Sequence, residues 1–342
     1  MRPKPSTGRL STRRETLTRS VVLAPALLLA LVVLAAPAAL HAGSEDCAAA
    51  VAPTLPDRSL TGERLGVVFG GGGAKAAYEA GLALALAERR VAPAAVAGTS
   101  SGALNAVMVA LGETERLAQL WRSIRREDVF GYRAGTVFGG LMPGWLWLSV
   151  LRDARSVLDP APLRKTLERE LDLDRLRTAP TRVLVLTADL LTGRSRAFDN
   201  ATLTVDALIA SATVPGLFPP VALDGALLVD GGIVQRAPTL ELLDTHPLDR
   251  LLVVVGYESR PPARSTVQAV LERALEIAVS REILRDVELA RLRHPRVPIH
   301  VVRPTEPLDT RPLEFDGERL GRLVDLGRRD GLACLGALGY GP

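Results

Sequence analysis

Two short apolar runs, each stopped by a glycine-bearing corner and followed by a helical pattern, constrain this chain more than any other feature. Leu65-Gly66-Val67-Val68-Phe69 is broken by Gly70–Gly73, and a helical pattern runs from Ala74 to Arg90. A second apolar run ends at Ala97, turns through Gly98-Thr99-Ser100-Ser101-Gly102, and leads into an alanine-rich helix from about Ser101 to Leu111. Strand, corner, helix, repeated, is the rhythm of a parallel sheet wrapped by helices. Further strands are predicted at Arg182–Ala188, Leu227–Val229, Arg250–Val255 and Pro298–Val302, and helices at Leu163–Leu171, Val267–Leu292 and Glu318–Leu335. No internal repeat interrupts this order, so one domain over residues 63–342 is expected. Aromatics are only 4% of the chain, so aliphatic side chains and alanine must build its core.

The first residues are a separate object. Residues 1–20 carry six basic side chains against the single acid Glu15, and Val21 to Leu40 then runs without a charge toward small residues around Ala36–Ala42. That succession reads as an export signal over residues 1–42, with an uncleaved membrane anchor as the alternative. Thr12-Arg13-Arg14-Glu15-Thr16-Leu17 partly matches a twin-arginine signal. A polar, proline-bearing leader fills 43–62, and the folded part is expected outside the cytoplasm. The signal also owns the basic charge: its six bases and one acid hold five net positive charges, so the formal +4 becomes about −1 without them. Nothing basic then remains to argue for nucleic acid. The two cysteines, Cys47 and Cys334, read as separate thiols, although export permits a bridge.

Three pieces carry chemistry. Gly98–Gly102 fits the Gly-x-Ser-x-Gly elbow, in which Ser100 sits on a strained strand-to-helix corner at the positive end of a helix. The glycines Gly71, Gly72 and Gly73, with Ala74-Lys75 behind them, let backbone N–H groups converge on one point, as an oxyanion hole or an anion site requires. A nucleotide P-loop fails here, because Lys75 is flanked by alanines. A dinucleotide site fits Gly71-x-Gly73-x-x-Ala76 loosely but lacks the acid after the second strand. The third piece is Asp230-Gly231-Gly232, a carboxylate at the end of an apolar run, which also fits a plain turn.

Together these blocks resemble the patatin-like phospholipase family from about Leu65 to Gly327. The resemblance rests on the loop Gly71–Lys75, the elbow Gly98–Gly102, the segment Ala210 to Pro220, and Asp230-Gly231-Gly232, in that order. It implies an α/β fold of three α/β/α layers around a mainly parallel sheet. It also implies a Ser100–Asp230 dyad, an oxyanion hole at Gly71, Gly72 and Gly73, and an acyl-serine intermediate, with no metal and no cofactor. Lys75, Gly98, Gly102, Gly231 and Gly232 are supporting positions. The implied activity is a lipid acyl hydrolase of phospholipase A or lysophospholipase type, with phospholipid or another lipid ester as substrate. A carboxylesterase on short soluble esters and a non-catalytic anion- or dinucleotide-binding protein are the alternatives.

The histidines bear on this independently. After the signal only His246, His294 and His300 remain; His246, before a proline at a strand edge, is the one awkward candidate for a triad base, and surface or core placement is expected for all three. Two positions depart from the family pattern: Ala76 replaces a common glycine, and Arg236 replaces a common asparagine, where it is expected to alter how the Asp230 turn is braced. The irregular stretch Val129–Val150, with Trp145 and Trp147, reads either as a flap in peripheral contact with a membrane or as ordinary core.

Overall fold

The chain is described by a computed structural model, which defines Cys47 and residues 62–132, 156–256 and 266–341. The signal over 1–42, most of the leader and the body of the proposed flap lie outside these described residues.

Eight strands form one sheet: β1 (Leu65–Phe69), β2 (Ala95–Thr99), β3 (Arg182–Asp189), β4 (Ser195–Asp199), β5 (Val221–Leu223), β6 (Ala226–Asp230), β7 (Arg250–Val254) and β8 (Ile299–Val302). The order is β8-β7-β1-β2-β3-β6-β5, with β4 beside β3. The five strands from β8 to β3 are parallel, and β4, β5 and β6 pair antiparallel. The principal helices are α1 (Ala77–Glu88), α2 (Ser101–Ala110), α3 (Thr114–Ser123), α4 (Ala161–Glu170), α5 (Val205–Ser211), α6 (Thr239–Thr245), α7 (Val267–Arg293) and α8 (Gly317–Ala337).

Successive strand residues face opposite sides. Val67 and Phe69 join a core with α1, α2, α3 and α8, whereas Val68 joins a second core with α6 and α7. Covering both faces explains why β1 and, after Arg250, β7 read as unbroken apolar runs rather than alternating. This is the expected three-layer α/β arrangement.

The sheet has one unusual edge. β2 pairs with β3 in parallel up to Thr99 opposite Leu186. Next along β3, Thr187 is opposite Asp230, the last residue of the antiparallel β6. Since β4 occupies the other edge over Leu184–Ala188, β2 and β6 share one edge of β3 and run toward each other. Their C-terminal tips meet there, bringing Ser100 and Asp230 together from positions 130 residues apart in the chain.

Two expectations change. The second strand does not stop at Ala97 but continues through Gly98 and Thr99, so the elbow follows the strand with no intervening loop. Cys47 and Cys334 are not separate thiols: they form a disulfide with a Cα–Cα distance of 5.0 Å, spanning a sequence separation of 287. The reason is a return of the leader to the sheet, where the Cys47 N–H donates to the carbonyl of Val301 in β8 (3.2 Å), close to α8. Composition alone carries no trace of that return.

Candidate active site

The elbow is built by contacts that exclude side chains. Ser100 has φ 59° and ψ −134°, a strained backbone for a residue with a Cβ. A Cβ on Gly98 would lie 2.2 Å from the Gly102 carbonyl oxygen, so the strand and the first turn of α2 approach too closely for any larger residue. Ser100 then stands at the N-terminus of α2, where the helix dipole favours negative charge. Its own N–H donates to the Ser211 hydroxyl (3.0 Å), which in turn donates to the Leu186 carbonyl (2.7 Å). Ser211 is fully buried at the end of α5.

Asp230 arrives by a different route. The Gly232 N–H donates to its Oδ1 (2.8 Å), and its own N–H donates to the Thr213 carbonyl (2.8 Å). The Ser100 side chain faces this carboxylate across the head of the cavity, near enough to lower its proton affinity. Burial pushes the Asp230 carboxyl above the ordinary aspartate range, while the Gly232 N–H, the nearby Arg236 charge and Ser100 pull it back. Arg236 thus acts where the sequence placed it: its guanidinium carbon lies 3.5 Å from the Cβ position of Gly232, within the Asp230 turn.

Gly71, Gly72 and Gly73 have φ values of +68°, +124° and +63°, a succession that only glycine adopts without strain. Gly72 and Gly73 line the same cavity as Ser100 and Asp230. Gly71 departs from the expected oxyanion role, because its N–H donates to Oε1 of Glu79 (2.8 Å) and faces the interior. Lys75 is buried and ion-paired with Glu276 of α7, so it ties the loop to that helix.

The cavity has a volume of about 1450 Å³. One wall carries Ser100, Asp230 and the glycines, and an apolar wall includes Leu104, Trp121, Leu163, Leu167, Leu208 and Phe218. Phe130, from the proposed flap, packs edge-on against Phe218 and Phe315 at 6.3 Å, so this end of the stretch is core. His246, His294 and His300 do not line the cavity. His294 pairs with Asp244 (2.8 Å), and His246 bonds the Thr245 hydroxyl (2.9 Å). Among the described residues no group of three or more His, Cys, Asp or Glu side chains is placed to hold a metal ion.

Residues 67–243, from β1 through the elbow and Asp230 to α6, match the patatin-like phospholipase family. The chain belongs to that family. A patatin-like assignment also agrees with the curated relatives. An uncharacterized NTE family protein of Mycobacterium tuberculosis is 28% identical over 235 residues, which is 68% of this chain and 61% of that protein. A putative patatin-like phospholipase domain-containing protein of Caenorhabditis elegans is 30% identical over 187 residues, 53% of this chain and 16% of that protein. The chain therefore spans about three fifths of the length of the first of these and far less of the second. Among solved structures, VipD from Legionella pneumophila is similar at 17% identity and a TM-score of 0.41, covering 80% of this chain and 66% of VipD. The type III effector ExoU is similar at 17% identity and a TM-score of 0.36, covering 80% of this chain and 53% of ExoU.

Sequence reasoning did not find Ser211, Thr213 and Glu79. The first two lie in the Ala210–Pro220 block, which was read as a family signature without a role. It braces both tips at once, Ser100 through Ser211 and Asp230 through Thr213. Glu79 had a visible signal: it is the only charge in the helical stretch Ala77–Leu86.

Proposed function

We propose that this chain hydrolyses carboxylic esters of lipids, of phospholipase A or lysophospholipase type, through Ser100 and Asp230. One observation carries the reading: a strained serine and a carboxylate of raised pKa line the same large, mainly apolar cavity. Asp230 takes the Ser100 proton as the hydroxyl oxygen attacks the ester carbonyl. The carbonyl electrons move onto its oxygen, where the amides of Gly72 and Gly73 receive the charge. Collapse of that intermediate expels the alcohol, which takes the proton from Asp230 and leaves an acyl-serine. Water, deprotonated by the same carboxylate, then releases the fatty acid.

The volume favours lipid over short soluble esters, since small-ligand sites hold about 300–1,000 Å³ and this cavity holds about 1450 Å³. We also propose that residues 1–42 direct the domain out of the cytoplasm. The basic and apolar segments support this, as does the Cys47–Cys334 bond, because disulfides persist in oxidising compartments.

Ser100→Ala tests the first proposal. The variant is expected to fold, to lose release of fatty acid from phosphatidylcholine vesicles, and to lose labelling by a fluorophosphonate. Retained hydrolysis would sink the reading. Intact mass of the protein recovered from the native host tests the second, with loss of a segment ending near residue 42 expected.

A further inference from the structure

We infer that Glu79 is a positioning residue of the hydrolytic site, fixing the glycine loop so that Gly72 and Gly73, and not Gly71, offer their amides to the developing oxyanion. The inference rests on the ester-hydrolase reading above and extends it to a side chain outside the cavity.

Glu79 is completely buried on the first turn of α1. Its Oε1 accepts the Gly71 N–H at 2.8 Å, while the neighbouring Gly70 N–H donates to the Val254 carbonyl of β7 (3.2 Å). Its Oε2 accepts the Asn105 side-chain amide at 2.9 Å. That same amide nitrogen donates to the Ala76 carbonyl (3.0 Å), and Asn105 Oδ1 accepts the Trp121 indole N–H (2.8 Å). The chain of contacts therefore links the loop, the start of α1, the middle of α2 and α3. Burying a carboxyl without an ion partner is costly, and the cost appears as a pKa pushed up to about 8.

The hydrogen-bond pattern explains why a carboxyl is required. Donors face Glu79 from both sides: the Gly71 amide of the loop at one oxygen and Asn105 at the other. Each oxygen of a carboxyl, protonated or not, keeps a lone pair that can accept, whereas the NH₂ of an amide accepts nothing and would face one of these donors. With the Gly71 N–H held inward, three successive positive φ values turn the next two residues toward the cavity. At the start of a helical turn their N–H groups have no intrahelical acceptor. On the far side the loop is held by Ala74, whose N–H donates to the Pro312 carbonyl (2.8 Å). Glu79 contributes the inner of two clamps.

The test compares Glu79→Gln with the exchanged pair Glu79→Gln/Asn105→Asp, in the full chain, on a chromogenic fatty-acid ester. Glu79→Gln is expected to lower kcat about 100-fold, as loss of an oxyanion donor does, with KM changed less than about 3-fold because the apolar wall is untouched. Replacing Asn105 by Asp gives the new amide an acceptor but removes the donor to the Ala76 carbonyl, so recovery is expected to be partial, about tenfold of the loss. Amide hydrogen exchange supplies a readout independent of turnover: protection over residues 70–74 should fall in Glu79→Gln and return in the pair, with β7 and β8 unchanged. Unchanged kcat and unchanged exchange in Glu79→Gln overturn the inference. A loss that falls on KM, or that the exchanged pair deepens, overturns it equally. If wild type hydrolyses the ester and labels at Ser100 while Glu79→Gln matches it, only this inference fails. If wild type neither hydrolyses nor labels, the hydrolase reading fails and this one with it.

Discussion

The serine elbow and the aspartate turn are held by opposite kinds of structure. Around Ser100 the constraints are short and steric: Gly98 and Gly102 are four positions apart in one motif, and the close approach of strand and helix leaves no room for a Cβ. Around Asp230 the constraints are long and polar, running to Thr213, Gly232, Arg236 and Ser100. The elbow comes from the parallel part of the sheet and the turn from its antiparallel end, and they meet because β2 and β6 share an edge of β3. A steric corner fixes where the proposed nucleophile is. A hydrogen-bonded turn instead leaves the proton affinity of its carboxylate open to adjustment by neighbours.

Four substitutions probe that contrast, in descending order of expected effect. Asp230→Asn keeps the shape and removes the base, so ester hydrolysis should fall by about 10³-fold or more with the melting temperature nearly unchanged. A large loss of stability would mean the turn is steric after all. Gly98→Ala should do the reverse, destabilising the protein by about 3 kcal/mol and abolishing fluorophosphonate labelling together with the fold of the corner. If Gly98→Ala melts like wild type, the elbow is looser than its contacts indicate. Ser211→Ala removes the acceptor of the Ser100 N–H inside the core, with an expected cost of about 1–3 kcal/mol in denaturant unfolding. The smallest effect belongs to Arg236→Gln. The proposed mechanism requires ionised Asp230, so activity should be lost as pH falls through that group's pKa; removing a nearby positive charge raises the pKa further. The acid limb of kcat/KM should move to higher pH, and a shift to lower pH would show that Arg236 acts on the turn by some other means.

The same contrast decides what the sequence made legible. The elbow and the glycine loop were readable because each is a local pattern at a strand end, where a run of apolar residues meets glycines. The parallel layers followed from those repeats, since strands buried on both faces read as unbroken apolar runs. The antiparallel end was less readable: only Leu227–Val229 of β6 was predicted there, because β4 is polar at three of its five positions and β5 is only three residues long. Asp230 was found through its Asp-Gly-Gly turn and the family resemblance, yet its supports at Thr213 and Ser211 depend on how α5 returns to the sheet. Gly71 was assigned with its neighbours because three glycines look alike in a sequence. Only the position of Glu79, eight residues on, separates the inward amide from the two at the cavity.

The bond between Cys47 and Cys334 makes most of the folded chain a closed ring rather than a line with two ends. One backbone cut anywhere between those cysteines opens the ring without dividing the molecule. A nicked protein therefore migrates as a single species on a denaturing gel until a thiol is added, and then as two. Cleavage on the N-terminal side of Cys47, by contrast, releases its fragment at once, so the cysteine marks the boundary between what a protease can remove and what it can only loosen.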